Sequence, residues 1–117
     1  MKDDRVYLRH ILDCIGAIES YVGTDRALFL SDRKTTKAVL RELQELAEST
    51  QRLSDAAKAS RSTIPWGAIA GFRNVLVHDY LGTNMTRVWR VIEQDMPTLK
   101  DAVVAILDEL NSDANQP

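Results

Sequence analysis

DRVYLRHILDCIGAIESYVG, residues 4–23, decides the fold. Its inward-facing set is Tyr7, Ile11, Cys14, Ile15, Ile18 and Val22, stepped by four, three, one, three and four. Those steps draw one stripe down a helix of 3.6 residues per turn and do not suit a strand, whose faces alternate every residue. Asp3 and Asp4 stand where a helix N-terminus favours anions, and Gly23 supplies a stop. The stretch predicts a helix over 4–22 that buries one face and wets the other.

The rest of the chain repeats this pattern. DRALFLSD (25–32) reads as a short helical connector. A long helix follows, with Val39, Leu43, Leu46, Ala47, Thr50 and Leu53 inward. No Gly or Pro interrupts residues 33–60, so that helix is expected to run until SRSTIP (60–65) breaks it. Pro65 suits the first turn of a third main helix reaching to about Tyr80, with Leu81-Gly82 as its end. Asn84 is expected to cap a short helix, MTRVWRVIEQ. Asp95 is expected to cap the last one, with Pro97 in its first turn and Met96, Leu99, Val103, Ile106, Leu107 and Leu110 inward. Residues 111–117 read as a frayed tail. No strand pattern, internal repeat or linker interrupts. The expectation is all-α: a single domain over 1–117, an antiparallel four-helix bundle with short accessory helices.

Composition narrows the function. The 117 residues are 44% hydrophobic and 27% charged, with a net charge of −2. No global basic field advertises a polyanion partner, so any such binding must be local. The one cysteine, Cys14, has no internal partner and sits on the inward stripe, where packing is the expected role. No apolar run approaches the roughly 18–20 residues of a membrane span. MKDDRVYLRH lacks a signal-peptide core, and a cytoplasmic protein is expected.

RNVLVHDY (73–80) concentrates the polar chemistry. On an ideal helix His78 lies about 140° from Arg73, Asn74 about 100°, and Tyr80 about 20° away. Arg73 and Tyr80 share one edge; Asn74 and His78, four residues apart, share another. A single helix therefore cannot pair Arg73 tightly with His78, but a two-fold copy can bring both types to one cleft. Histidine suits proton transfer near neutral pH, and arginine grips phosphate oxygens with a fork of donors. The pair thus makes a metal-free phosphodiesterase kit, with Asn74 to orient either partner. On residue types alone, capping and dipole effects at a helix end account for the same residues.

A wider match favours the kit. RNVLVHDY has Arg, four residues, His, one residue, Tyr, and it sits within IPWGAIAGFRNVLVHDYLGTNMTRVWRVIEQDMP. That run resembles the HepT-type toxins of the HEPN superfamily of helical ribonuclease domains. It has Pro-Trp, an apolar turn, a Gly, Arg-Asn, His-x-Tyr, a Trp and an acid-x-Pro. The resemblance extends over roughly residues 4–110. It implies a HEPN-like bundle acting as a homodimeric endoribonuclease toxin without metal or cofactor. It implies Arg73 and His78 as the catalytic pair and Asn74 as a supporting residue. It also implies Tyr80 as the residue that a cognate nucleotidyltransferase antitoxin of the MntA type modifies with AMP. Glu48 matches a family acid, but AES stands where Gly-Glu-Ala is usual, and it is assigned no catalytic role.

The rival is a non-catalytic helical module that uses these residues to hold a nucleotide or dock a nucleotidyltransferase; a third reading is a purely structural dimer. Trp66 and Trp89 read as core anchors rather than base-stacking platforms. His10 reads as a surface histidine. RKTTK (33–37) with Arg41 reads by default as solvated surface, with a rim for the RNA backbone or a contact for an acidic partner as the functional alternatives.

Overall fold

The computed structural model describes residues 3–78 and 83–114. Seven α-helices and one π turn occupy nearly all of them. They are α1 (Asp4–Val22), α2 (Arg26–Ser31), α3 (Arg33–Gln51), α4 (Asp55–Ala59), α5 (Trp66–His78), α6 (Met85–Arg90), the π turn Val91–Asp95, and α7 (Met96–Ala114). No strand occurs among the described residues. The fold is all-α and HEPN-like, with α1, α3, α5 and α7 as the main helices.

Helix α1 starts where Asp3 accepts the Arg5 N–H. It ends at Gly23, whose φ of 51° carries its N–H back to the Glu19 carbonyl. Leu8, Ile11, Cys14, Ile15, Ile18 and Val22 are its buried face. Leu8 takes the fully buried place expected of Tyr7, which packs half-buried beside the core. Asp4 at the start of α1 accepts both the Ser54 N–H and its hydroxyl (2.8 and 2.6 Å), so α1 runs antiparallel to α3. Lys100 reaches Glu19 at 3.2 Å, so α1 also runs antiparallel to α7.

Two sequence expectations fail here. Helix α3 stops at Gln51 although no Gly or Pro stops it. The chain tightens through Arg52 N–H to Ser49 O and Leu53 N–H to Thr50 O, and Ser54 then caps α4 by accepting the Ala57 N–H. A side-chain cap tied to Asp4 across the bundle outweighs helix propensity. The second failure is at Asp95, which caps nothing. Residues 85–114 form one continuous helical run through the π turn. Pro97 lacks an N–H, and its ring would press on the carbonyl four residues back. The wider turn, closed by Met96 N–H to Val91 O, accommodates it. Asn84 does cap α6, accepting the Thr86 and Arg87 N–H groups. Helix α7 also continues to Ala114, into the segment expected to fray.

Trp89 is buried against Phe29 with ring centroids 5.5 Å apart. Trp66 is half-buried, its indole N–H donating to the Lys58 carbonyl at 3.0 Å. Both are anchors, as expected. His10 is not a surface residue: it is half-buried, with Nδ1 2.6 Å from Ser49 Oγ and Nε2 3.7 Å from Cys14 Sγ. Its place one turn before inward-facing Cys14 points it at α3. Burial and the neighbouring Glu42 push the Cys14 thiol up to about 12, so the thiol stays protonated and packs.

Helix α5 rests on α3. Between α3, α5 and the start of α7 lies an apolar cavity of about 290 Å³, lined in part by Leu43, Leu46, Ile69, Phe72, Met96 and Leu99. No described helix is long and apolar enough to cross a membrane.

Candidate functional site

Helix α5 is apolar in composition, WGAIAGFRNVLVH, yet Leu76 is its only buried residue. Ile69 is half-buried, and Val75 and Val77 are exposed (43% and 36%). One bundle face therefore does not account for this helix.

Arg73 turns toward α3. Its Nη2 donates to Glu48 Oε1 at 3.1 Å, and its Nη1 approaches Asn74 Oδ1 at 3.4 Å. The Arg73 side chain is 28% exposed and the Glu48 side chain 41%. Arg73 Nε is buried and has no hydrogen-bond partner among the described residues. The hydrogen bond from Arg73 holds the Glu48 carboxyl below its ordinary range, with a smaller contribution from Gln44. The ion pair leaves part of the guanidinium fork open at the surface.

His78 is the last residue of α5, exposed and without a hydrogen bond among the described residues. It does not meet Arg73, in keeping with the angle the helix imposes. Asn74 is exposed on the same side as His78. Gly67, Gly71, Asn74 and His78 follow one another by four, three and four residues along this line, and all four are exposed. A Cβ built on Gly67 or Gly71 would meet nothing within 4 Å. Tyr80 lies outside the described residues. Among the described residues no three His, Cys, Asp or Glu side chains gather to hold a metal ion.

Sequence reasoning missed the partnership of Glu48 with Arg73. The two are 25 residues apart on different helices, so only the packing of α5 on α3 makes the pair. The available signal was Glu48's place on the outward side of the α3 stripe, opposite Leu43 and Leu46.

An all-α bundle whose α5 carries Arg-x4-His, with the arginine half-sequestered by a carboxylate, defines a HEPN-type helical domain. The ribonuclease HepT-like family profile matches residues 11–106, and the chain belongs to that family. It is 36% identical over 110 residues to a Caldanaerobacter subterraneus protein, covering 93% of this chain and 98% of that one. It is 33% identical over 98 residues to a Thermococcus cleftensis protein named as ribonuclease HepT, covering 80% and 86%. A Methanocaldococcus jannaschii relative is 31% identical over 115 residues, 97% of this chain but only 52% of that protein, whose name adds a gamma-glutamylcyclotransferase. All three carry their ribonuclease names provisionally. No solved structure matches significantly.

Proposed function

We propose that this protein is a metal-independent endoribonuclease toxin whose active cleft forms between two copies of the chain. The observation that carries this is the Gly67-Gly71-Asn74-His78 line. Glycine inside a helix costs about 1 kcal/mol relative to alanine. Nothing among the described residues of one chain needs either glycine, since a Cβ at each meets nothing within 4 Å. Two glycines one turn apart let another backbone approach closely, and Asn74 and His78 continue the line they start. A second α5 crossing there would bring His78 of each chain toward the other's Arg73, which one chain alone keeps apart.

In that cleft His78 takes the proton from the RNA 2′-hydroxyl. The 2′-oxygen attacks phosphorus, and the bond to the 5′-oxygen breaks. The second His78, protonated, gives its proton to the leaving oxygen. Arg73 stabilises the charge that builds on the phosphoryl oxygens, with Glu48 fixing the guanidinium and Asn74 orienting the phosphate. The products are a 2′,3′-cyclic phosphate and a 5′-hydroxyl. The control step is AMP transfer to Tyr80 by a nucleotidyltransferase antitoxin. Tyr80 follows His78 by two residues in the sequence, so each AMP would bring a negative charge to the motif that holds the RNA phosphate.

The non-catalytic reading draws on one observation, that Arg73 is already paired and stands apart from His78 in a single chain. Cleavage of RNA by purified protein, lost in His78→Ala, separates the two. Cutting by His78→Ala at the wild-type rate would refute the catalytic assignment. Position 78 is exposed, so the variant should keep its stability within about 0.5 kcal/mol.

A further inference from the structure

Beyond the motif helix, the outward face of α3 carries a second ordered feature. Taking Glu48 as the origin, Gln44, Arg41, Lys37 and Lys34 all lie within about 40° of it around the helix. Along the axis Arg41, Lys37 and Lys34 stand about 10, 16 and 21 Å from Glu48. Glu48 is the residue bonded to Arg73, so the row of cations begins beside the candidate site and leads away from it. Arg41 adds to the cationic field on the Glu48 carboxylate. All three cations are exposed. Arg41 has a loose contact with Glu45 at 3.9 Å, and neither lysine has an ion-pair partner within 4 Å among the described residues. Asp32, a carboxylate in the field of Lys34, is occupied in capping α3 through Thr35.

The charge is local and works against the fold. Residues 26–41 carry five cations and one carboxylate, a net of +4 in a chain of net −2. Arg33 and Lys34 occupy the first turn of α3, which holds no acid. That is the positive end of the helix dipole, where cations are unfavourable. A ligand bearing negative charge removes the conflict. On α3 itself the row has no exposed aromatic or large aliphatic side chain, since Val39 and Leu40 turn into the core; the exposed Leu30 of this stretch belongs to α2. A protein partner would want an apolar centre with charge at its rim; a sugar-phosphate backbone wants only cations.

We propose that Lys34, Lys37 and Arg41 form a track for the backbone of the RNA strand flanking the cut phosphate. The ligand's identity rests on the ribonuclease reading, while the track itself is a binding surface independent of catalysis. With phosphates about 3.4 Å apart on a stacked strand, the stretch from Arg41 to Lys34 faces roughly three of them. With no aromatic platform, the track grips without reading bases.

The test is a salt titration of binding to a fluorescent single-stranded RNA 12-mer, in a His78→Ala background so that nothing is cut. Lys34→Gln/Lys37→Gln/Arg41→Gln is compared with a control that removes equal charge elsewhere, Arg9→Gln/Arg52→Gln/Lys58→Gln. Each lost phosphate contact makes the slope of log K against log salt shallower by about 0.7. The track variant should therefore lose about 2 from the slope. Between 50 and 200 mM salt the parent should lose about twentyfold more affinity than this variant does. The control should keep the parent slope. Equal slopes in track variant and parent, or equal losses in track variant and control, would overturn the proposal. So would unchanged RNA binding with lost capture of the nucleotidyltransferase, which would give the row to a protein. RNA bound along the track by a wild-type protein that never cuts it would uphold the track and refute the ribonuclease reading instead.

Discussion

Gly71→Leu sets the stability of one chain against the assembly of two. In the isolated chain the substitution should help. Position 71 is exposed, inside α5, and a Cβ there meets nothing within 4 Å. Leucine is roughly 0.8 kcal/mol better than glycine in a helix interior. For 117 residues that corresponds to a rise in melting temperature of about 3 °C. In a dimer built on the glycine line the same side chain holds the partner helix away and should abolish close approach. The variant should therefore melt higher than wild type in dilute solution, where both are monomers. If the proposed dimer forms, it should sediment as a monomer at concentrations where wild type associates, and it should lose RNA cleavage. Gly16→Leu is the matched control. Gly16 is also exposed, inside α1, and meets nothing within 4 Å. That variant should gain a similar increment and keep both the dimer and the activity. A Gly71→Leu protein that is more stable, dimeric and fully active would refute the composite cleft, because the line of glycines would then have no contact to serve.

Three further expectations follow from the same geometry. Arg73→Lys should restore little of the cleavage lost in Arg73→Ala, because lysine lacks the fork that serves Glu48 and phosphate together, and wild-type cleavage should survive chelation by EDTA. Glu48→Gln should remove a modest, half-exposed contribution of about 0.5 kcal/mol or less at pH 7. Glu48's folded-state pKa is depressed, so this contribution is present above the ordinary value of 4.5 and lost as pH falls through the folded value; denaturant midpoints of variant and wild type should converge there, and a gap that persists in acid would rule out the ion pair as its source. Incubation with a nucleotidyltransferase of the proposed antitoxin class and ATP should add AMP to wild type but not to Tyr80→Phe by intact mass, and equal neutralisation of both would favour occlusion over covalent control.

The four main helices were legible because each rests on a single-face apolar period that any burial must satisfy. What was not legible were the boundaries fixed across the bundle. Nothing in residues 48–56 tells that Asp4 will hold Ser54 and end α3 early. At the other end, Pro97 correctly marks a disturbance, but a helix can answer a proline with a wider turn as well as with a break. The misplacement of His10 has the same origin. A polar residue one turn from an inward cysteine is ambiguous until Ser49 is known to face it.

The site divides along the same line. The angle between Arg73 and His78 is a property of one helix, so their separation was readable in advance and the structure keeps it. Glu48 was readable only as an acid on the outer face of α3, because its value lies in a contact 25 positions away. That contact changes the meaning of the arginine. An exposed lone Arg would sweep many rotamers and bind phosphate at an entropic cost. One guanidinium nitrogen fixed on a carboxylate, with the Nε buried, leaves a pre-oriented remainder of the fork facing out beside Asn74. In the composite cleft we propose, α5 would offer half of a phosphate clamp, fixed, and half of a proton-transfer pair on the other edge, free. On that reading neither half is useful alone, and the unfilled glycines lie on the side where a second copy would complete both.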